Sequence, residues 1–80
     1  MREKIRELIA VHAGLPQANS LPAEADLYRA GMKSFSSVQL MLALEETFEV
    51  EFPEEMLNRQ TFRSMASIEQ AIAGLRSGAL

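Results

Sequence analysis

Cysteine is absent from the sequence and histidine occurs only once, and these two shortages exclude most catalytic and metal-binding sites. Without cysteine the chain has no disulfide framework, no thiolate metal site and no thiol nucleophile. The single histidine, His12, lies on the apolar face of a predicted helix and far in sequence from any serine, so we interpret it as a structural residue at the edge of the core. The four glycines are isolated, and no glycine-rich phosphate loop is present. We therefore expect neither a catalytic site nor a metal site.

Long apolar runs are equally scarce in this sequence. Charged residues interrupt every apolar stretch well short of the roughly 20 residues that span a bilayer. The N-terminal residues 1–7 alternate in charge sign and lack the apolar segment of a secretory signal. These features predict a cytoplasmic protein without a membrane segment.

Length and charge indicate the number of domains and the class of partner. Eighty residues, 48% of them apolar, suffice for one compact domain over residues 1–80 with a thin core. The net charge of −3 is uneven, because residues 24–58 carry eight acidic side chains against two basic ones, a local charge of −6. Such an acidic centre disfavours nucleic acid and favours basic protein surfaces. We expect a monomer whose partners are proteins.

The first third of the chain predicts one helix followed by a long loop. Apolar residues at helical spacing predict a helix from Arg2 to Ala13, which Gly14 ends. Residues 15–33 show no sustained period and contain two prolines. A loop of this length inside a small domain is uncommon, and we expect its own apolar residues to fix it. These residues are Leu15, Leu21, Leu27 and Tyr28.

The strongest periodic signal predicts a helix from Ser34 to Phe48. One stripe of this helix faces the core. It consists of Ser37, Leu40, Met41, Leu44 and Phe48. Nearly opposite lies a second set, which we call the outer strip. It consists of Phe35, Gln39, Leu42 and Glu46. Two large apolar residues are therefore predicted to face outward.

The remaining residues predict a short helix and a final long one. Pro53 suits the first position of the short helix, before Glu54 and Glu55. Ser67 and Gln70 have the spacing of a capping box, so the last helix is predicted to open at Ser67. Gly78 lies beyond its predicted end. The predicted fold is all-α, a small bundle of three longer helices and one short helix with a long first loop.

Ser34 is the strongest candidate for a residue that carries a chemical function. It stands at the predicted start of the central helix, where a serine can serve as an N-cap or first-turn residue. An exposed hydroxyl there also lies near free amides and the positive end of the helix dipole, which suits a phosphate-linked group. The residues alone favour the capping interpretation and leave the second one open.

The residues around Ser34 resemble the centre of an acyl carrier protein. The similarity runs from Asp26 to Phe48 and continues through Glu51-Phe52-Pro53. Its motif is an acidic-Leu-x-x-x-Gly lead-in, the serine, a helix of the form Val-x-Leu-x-x-x-Leu-Glu-x-x-Phe, and then Phe-Pro. The resemblance implies a non-catalytic carrier with a covalent 4'-phosphopantetheine arm on Ser34, installed by a phosphopantetheinyl transferase. The family's usual Asp before the serine is replaced here by Lys33, which does not favour recognition by an ordinary fatty-acid transferase or synthase.

A narrower resemblance accommodates Lys33. The residues 34–42, Glu45, Glu46 and the segment 57–62 are similar to the stand-alone aminoacyl carrier proteins of bacteria. This resemblance implies a small amino acid, such as glycine or alanine, carried as a thioester. An ATP-dependent ligase akin to a seryl-tRNA synthetase catalytic core would load it, and the downstream acceptor is not indicated. The residues expected to meet partners are the outer strip together with Lys33 and Glu45.

Two alternatives remain open from the sequence. One keeps the carrier role with an acyl or peptidyl cargo. The other is an unmodified helical interaction module, in which Phe35 and Leu42 bind a partner while Ser34 only caps its helix.

Overall fold

A computed structural model of the chain describes residues 1–77, so Gly78, predicted to follow the last helix, lies outside the described residues. Helices form every regular element of the described chain, and the all-α prediction is confirmed. The four α-helices are α1 (Arg2–His12), α2 (Leu27–Ala30), α3 (Ser34–Phe48) and α4 (Met65–Ser77). Two 3-10 turns cover Pro16–Ser20 and Glu54–Met56. None of the helices described is long and apolar enough to cross a membrane.

The core lies where α1 packs against α3 and α4. Its largest fully buried side chains are Ile5, Ile9, Leu27, Leu40, Leu44, Met65, Ile68 and Ile72. Leu40 and Leu44 belong to the predicted stripe of α3, and the half-buried Met41 and Phe48 pack beside them. The predicted bounds and buried face of α3 are therefore confirmed.

Helix α1 agrees with the prediction except at its two ends. Gly14 takes φ +69°, which ends the helix as expected. His12 was expected on the apolar face but is exposed, and Met1, just before the helix, is 46% exposed. Both lie at the ends of α1, where Met1 is the N-cap and His12 is the last helical residue. The prediction that His12 borders the core is wrong.

The first loop contains more regular structure than its sequence pattern predicts. The Asp26 carboxylate accepts hydrogen bonds from the amides of Tyr28 and Arg29, at 2.9 and 3.2 Å, and so begins α2. The Arg6 guanidinium fixes the preceding turn by donating to the carbonyls of Ala18 and Leu21, at 2.9 and 2.8 Å. Short elements of this kind depend on a local cap and on long-range contacts, and a periodicity search detects neither.

The apolar residues expected to fix this loop do face the core. Leu15 and Leu27 are buried, and Leu21 and Tyr28 are half-buried against the core cluster. That prediction is confirmed.

Polar contacts end α3 and hold the segment that follows it against the helix. Glu49 ends α3 with a left-handed backbone, φ 54°. The Glu45 carboxylate turns back to accept a hydrogen bond from the Phe52 amide at 2.9 Å. Pro53 precedes the short 3-10 turn as its N-cap and is not its first residue, a shift of one position from the prediction.

The start of α4 differs from the predicted one. The helix begins at Met65, and Ser64 is its cap: the Ser64 hydroxyl accepts from the Ser67 amide at 3.1 Å. The Ser67 hydroxyl in turn accepts from the Ser64 amide at 3.0 Å. Ser67 is therefore the second member of a capping box and not its first, so the prediction that α4 opens at Ser67 is wrong.

Candidate functional site

Ser34 is the first residue of α3 and follows directly on a tight turn from α2. Gly31 takes φ +126°, a conformation that favours glycine, and a Cβ there would meet Leu15 at only an ordinary contact distance of 3.5 Å. The Met32 amide donates to the Leu27 carbonyl at 2.9 Å, and the Met32 side chain is buried. Backbone conformation, more than lack of space, thus selects glycine at position 31, and the turn presents Ser34 at the surface.

The Ser34 side chain is exposed and its hydroxyl has no hydrogen-bond partner within residues 1–77. The cap position of α3 is Lys33, whose side chain makes no capping bond. The first intrahelical bond joins the Ser37 amide to the Lys33 carbonyl at 2.9 Å. The amides of residues 34–36 therefore remain free, as expected for an uncapped first turn. Of the two structural roles predicted for Ser34, only that of a first-turn residue agrees with this geometry.

The electrostatics of this first turn suit an anion. The first turn of α3 contains no acidic residue, and Lys33 is exposed beside it. The free amides carry the positive end of the helix dipole. A phosphodiester on the Ser34 oxygen would meet these amides without an opposing carboxylate on the same turn. The residues present therefore fit a phosphate-linked group.

A groove of about 260 Å³ lies beside Ser34, between α3 and the segment 57–62. Its lining includes Tyr28, Val38, Met41, Leu57, Arg59 and Phe62. The Arg59 guanidinium carbon lies 4.0 Å from the centroid of the Tyr28 ring. Sequence reasoning missed this pair, because nothing in the pattern of either segment indicates that the two side chains meet.

The outer strip of α3 is exposed as predicted. Phe35 is 71% exposed and Leu42 is 52% exposed, and Gln39 and Glu46 lie between and beside them on the surface. The groove beside Ser34 adds two exposed apolar residues that were not predicted, Val38 and Leu57. The wheel of α3 places Val38 next to Phe35 and Leu42, so this residue could have been found from the sequence.

Glu45 differs from the rest of the predicted partner surface. Its side chain is half-buried and its carboxylate binds the Phe52 amide. This contact gives Glu45 a structural role. Its predicted role at the flank of the outer strip stays a prediction.

No set of three His, Asp or Glu side chains within residues 1–77 is placed to hold a metal ion. Every buried side-chain nitrogen or oxygen that the structure describes also has a hydrogen-bond partner. The Ser34 hydroxyl is not part of this buried network, because it is exposed and accessible for reaction.

Comparison with known proteins agrees with the geometry of the site. The family model described as "Phosphopantetheine attachment site" matches residues 3–68. The chain is 46% identical over 79 residues to an aminoacyl carrier protein of Agrobacterium fabrum, covering 98% of this chain and 95% of that protein.

Solved structures give the same result for the fold. A carrier protein from Agrobacterium tumefaciens is 47% identical and superposes with a TM-score of 0.87, over 91% of this chain and 99% of that one. It was solved in complex with an engineered Bradyrhizobium japonicum glycine:[carrier protein] ligase and AMP. A solution structure from Agrobacterium tumefaciens is 45% identical, with a TM-score of 0.76 over 99% of this chain and 96% of that one.

Proposed function

Since the chain belongs to the phosphopantetheine attachment-site family, whose members are carriers and not enzymes, we propose that it is an aminoacyl carrier with Ser34 as its attachment residue. The cofactor of this family is covalent 4'-phosphopantetheine. The proposed cargo is a small amino acid of the glycine or alanine class.

The observation that carries the proposal is the state of the Ser34 hydroxyl. It is exposed, it has no hydrogen-bond partner within residues 1–77, and it stands on a first turn whose amides are free. A purely structural serine at a helix start would use its oxygen to cap an amide. This serine leaves its oxygen accessible for attachment, and the free amides beside it favour the negative charge of a phosphodiester.

The chain's own residues hold and present the attached group. The free amides of α3 and the exposed Lys33 stabilise the negative charge of the phosphodiester. The turn at Gly31 fixes where that phosphodiester leaves the domain. When bound, the arm supplies a flexible chain with a terminal thiol on which the amino acid is carried as a thioester. Tethering keeps the cargo at a high effective concentration near partner sites.

The proposed loading partner is an ATP-dependent amino acid:carrier protein ligase that resembles a seryl-tRNA synthetase catalytic core. Support comes from the similar carrier protein, which was solved with a glycine:[carrier protein] ligase. A phosphopantetheinyl transferase is the second proposed partner, and the downstream acceptor stays unspecified. The cytoplasm is the proposed compartment, because loading consumes ATP.

The proposed docking surface is the outer strip of α3 with Lys33 and Glu45 at its edges. Phe35 and Leu42 supply exposed apolar area, and Glu46 supplies negative charge beside it. An apolar contact with a charged border suits weak, steered and exchangeable binding.

Intact-mass measurement tests the attachment. The protein is coexpressed with a phosphopantetheinyl transferase, and we expect the mass to rise by one phosphopantetheine group. Ser34→Ala should abolish this increase. Ser36→Ala is the matched control, since it removes a hydroxyl from the same turn, and it should be modified like the original chain. Failure of the original chain to acquire the arm, with an active transferase present, contradicts the proposal and favours the unmodified interaction module.

Loading assays test the cargo. The modified protein is incubated with purified ligase, ATP and labelled glycine, alanine or fatty acid. We expect an amino acid to be incorporated as a hydroxylamine-labile thioester, whereas incorporation of fatty acid alone would favour the acyl carrier alternative. Phe35→Ala and Leu42→Ala should raise the KM for the carrier, while Val11→Ala, which removes an equally exposed apolar residue from α1, should not.

A further inference from the structure

Arg59 is a basic side chain on the wall of the groove beside Ser34. It lines this groove together with Ser34 and Tyr28. Within residues 1–77 Arg59 makes no ion pair and no hydrogen bond from its side chain, whereas the nearby Arg63 pairs with Asp26 at 3.5 Å. The groove therefore has on one wall a cation that no acid of the described residues neutralises, and it has the candidate attachment hydroxyl at its edge.

The turn that carries Arg59 is fixed in place. The Asn58 side-chain Nδ2 donates to the Glu55 carbonyl at 2.9 Å, and its side-chain Oδ1 accepts from the Thr61 backbone amide at 3.0 Å. Phe62, at the end of the turn, is buried in the core. The backbone at Arg59 is thus held from both sides by contacts that do not involve its own side chain.

The same turn is attached to α2, which carries Tyr28. The Leu27 amide donates to the Arg63 carbonyl at 2.7 Å. This bond holds Tyr28 and Arg59 on facing elements, where the guanidinium covers the ring. The Arg59 side chain makes no hydrogen bond within residues 1–77, so its N–H groups stay free to donate beside the ring. Arg59 is therefore preorganised as a donor to an oxyanion.

We propose that Arg59 binds the phosphodiester of the arm on Ser34 and so directs the arm into the groove. The inference rests on the proposed function, because it requires the arm on Ser34. A planar guanidinium can donate two parallel hydrogen bonds to phosphate oxygens. The α3 amides meet the phosphodiester at its point of attachment, and Arg59 would meet it from the groove side. Apolar side chains of Val38, Met41 and Leu57 then lie beside the aliphatic part of the arm.

Nuclear magnetic resonance on the modified protein tests this proposal. The probes are the ³¹P signal of the phosphodiester and the side-chain Nε–Hε signal of Arg59, compared between unmodified and modified forms. We expect the Arg59 signal to shift on modification, and the ³¹P shift of the modified protein to depend on salt. Arg59→Gln should move the ³¹P signal and reduce its salt dependence, because it removes the cation on the groove wall while Lys33 remains.

Two further variants separate the effect of hydrogen bonding by the Arg59 guanidinium from the effect of positive charge alone. Arg59→Lys keeps the charge without the planar donor, so it should retain the salt dependence and change the ³¹P shift. Arg29→Gln removes one charge from α2 at an exposed site outside the groove, and it should leave both probes as in the original chain.

Intact mass, measured first, separates the two proposals. Protein that carries the arm but shows the same ³¹P signal with and without Arg59 overturns this inference alone. Protein that never acquires the arm overturns the proposed function and this inference with it.

Discussion

The first turns of α3 and α4 differ in whether side chains bind their backbone amides. At α4, Ser64 and Ser67 exchange hydrogen bonds at 3.1 and 3.0 Å and close the turn. At α3, Lys33 makes no capping bond and Ser34 leaves its hydroxyl unused. Both turns contain serine, so composition does not distinguish them. The difference is that one serine is occupied by the fold and the other is available to a ligand.

The largest expected effect concerns a third backbone amide, that of Phe52, which a side chain binds as in α4. Glu45→Ala leaves this half-buried amide without its charged acceptor, which should lower the free energy of unfolding by about 1.5–3 kcal/mol. Urea denaturation measures it. Glu46→Ala, the exposed neighbour, is the control and should change stability by less than about 0.5 kcal/mol. Equal losses in the two variants would show that the Phe52 contact contributes nothing.

The contrast between the two helix starts predicts different losses of stability when Ser64 and Ser34 are replaced by alanine. Ser64→Ala removes the cap of α4 and should cost about 1–2 kcal/mol. Ser34→Ala removes a hydroxyl without a partner and should cost less than about 0.5 kcal/mol. Thermal unfolding suits the test, since about 1 kcal/mol shifts the midpoint of a domain this size by about 4–8 °C. A large loss on Ser34→Ala would mean that this hydroxyl stabilises α3.

A smaller effect of opposite sign is expected at Lys33. Lys33→Asp supplies the missing cap and a favourable charge at the positive end of α3, so it should stabilise the protein by about 1 kcal/mol. Lys33→Ala is the control, because it removes the cation without adding an acceptor. A fall in the unfolding midpoint of Lys33→Asp would show that the α3 amides are already satisfied.

The smallest expected effect concerns the link between α4 and α1. The Arg2 guanidinium donates to Glu69 at 2.6 Å, and this hydrogen bond lowers the pKa of the Glu69 carboxyl. A lowered pKa in the folded state contributes stability above the pKa of the unfolded carboxyl, and this contribution is lost as pH falls through the folded value. Glu69→Gln should therefore lower the midpoint slightly at neutral pH and not in acid. Because the pair is exposed, the loss should be below that of Ser64→Ala.

Helix α3 could be predicted from the sequence because its signal is long. Its bounds, Ser34 and Phe48, and its buried Leu40 and Leu44 follow from periodicity over fifteen residues. The outer strip follows from the same wheel. Helix α2 could not be predicted, because four residues carry no period and Asp26 begins the helix only in this fold.

The misplaced start of α4 has a different cause. Two overlapping capping boxes are possible in the sequence, Ser64 with Ser67 and Ser67 with Gln70. The fold uses the earlier pair, and Met65 in the resulting first turn is buried. The pairing of Tyr28 with Arg59 likewise depends on how α2 meets the segment 57–62, and local sequence does not contain that information.

Glu49 has a consequence for the engineering of this protein. Its left-handed backbone, φ 54°, is the one position among residues 1–77 where a non-glycine residue adopts positive φ. Glycine relieves the clash between Cβ and the backbone at such positions, so a design for higher thermostability would begin with Glu49→Gly. That change would also remove a negative charge from the acidic stretch. It would therefore raise thermal stability and weaken the long-range attraction to basic surfaces.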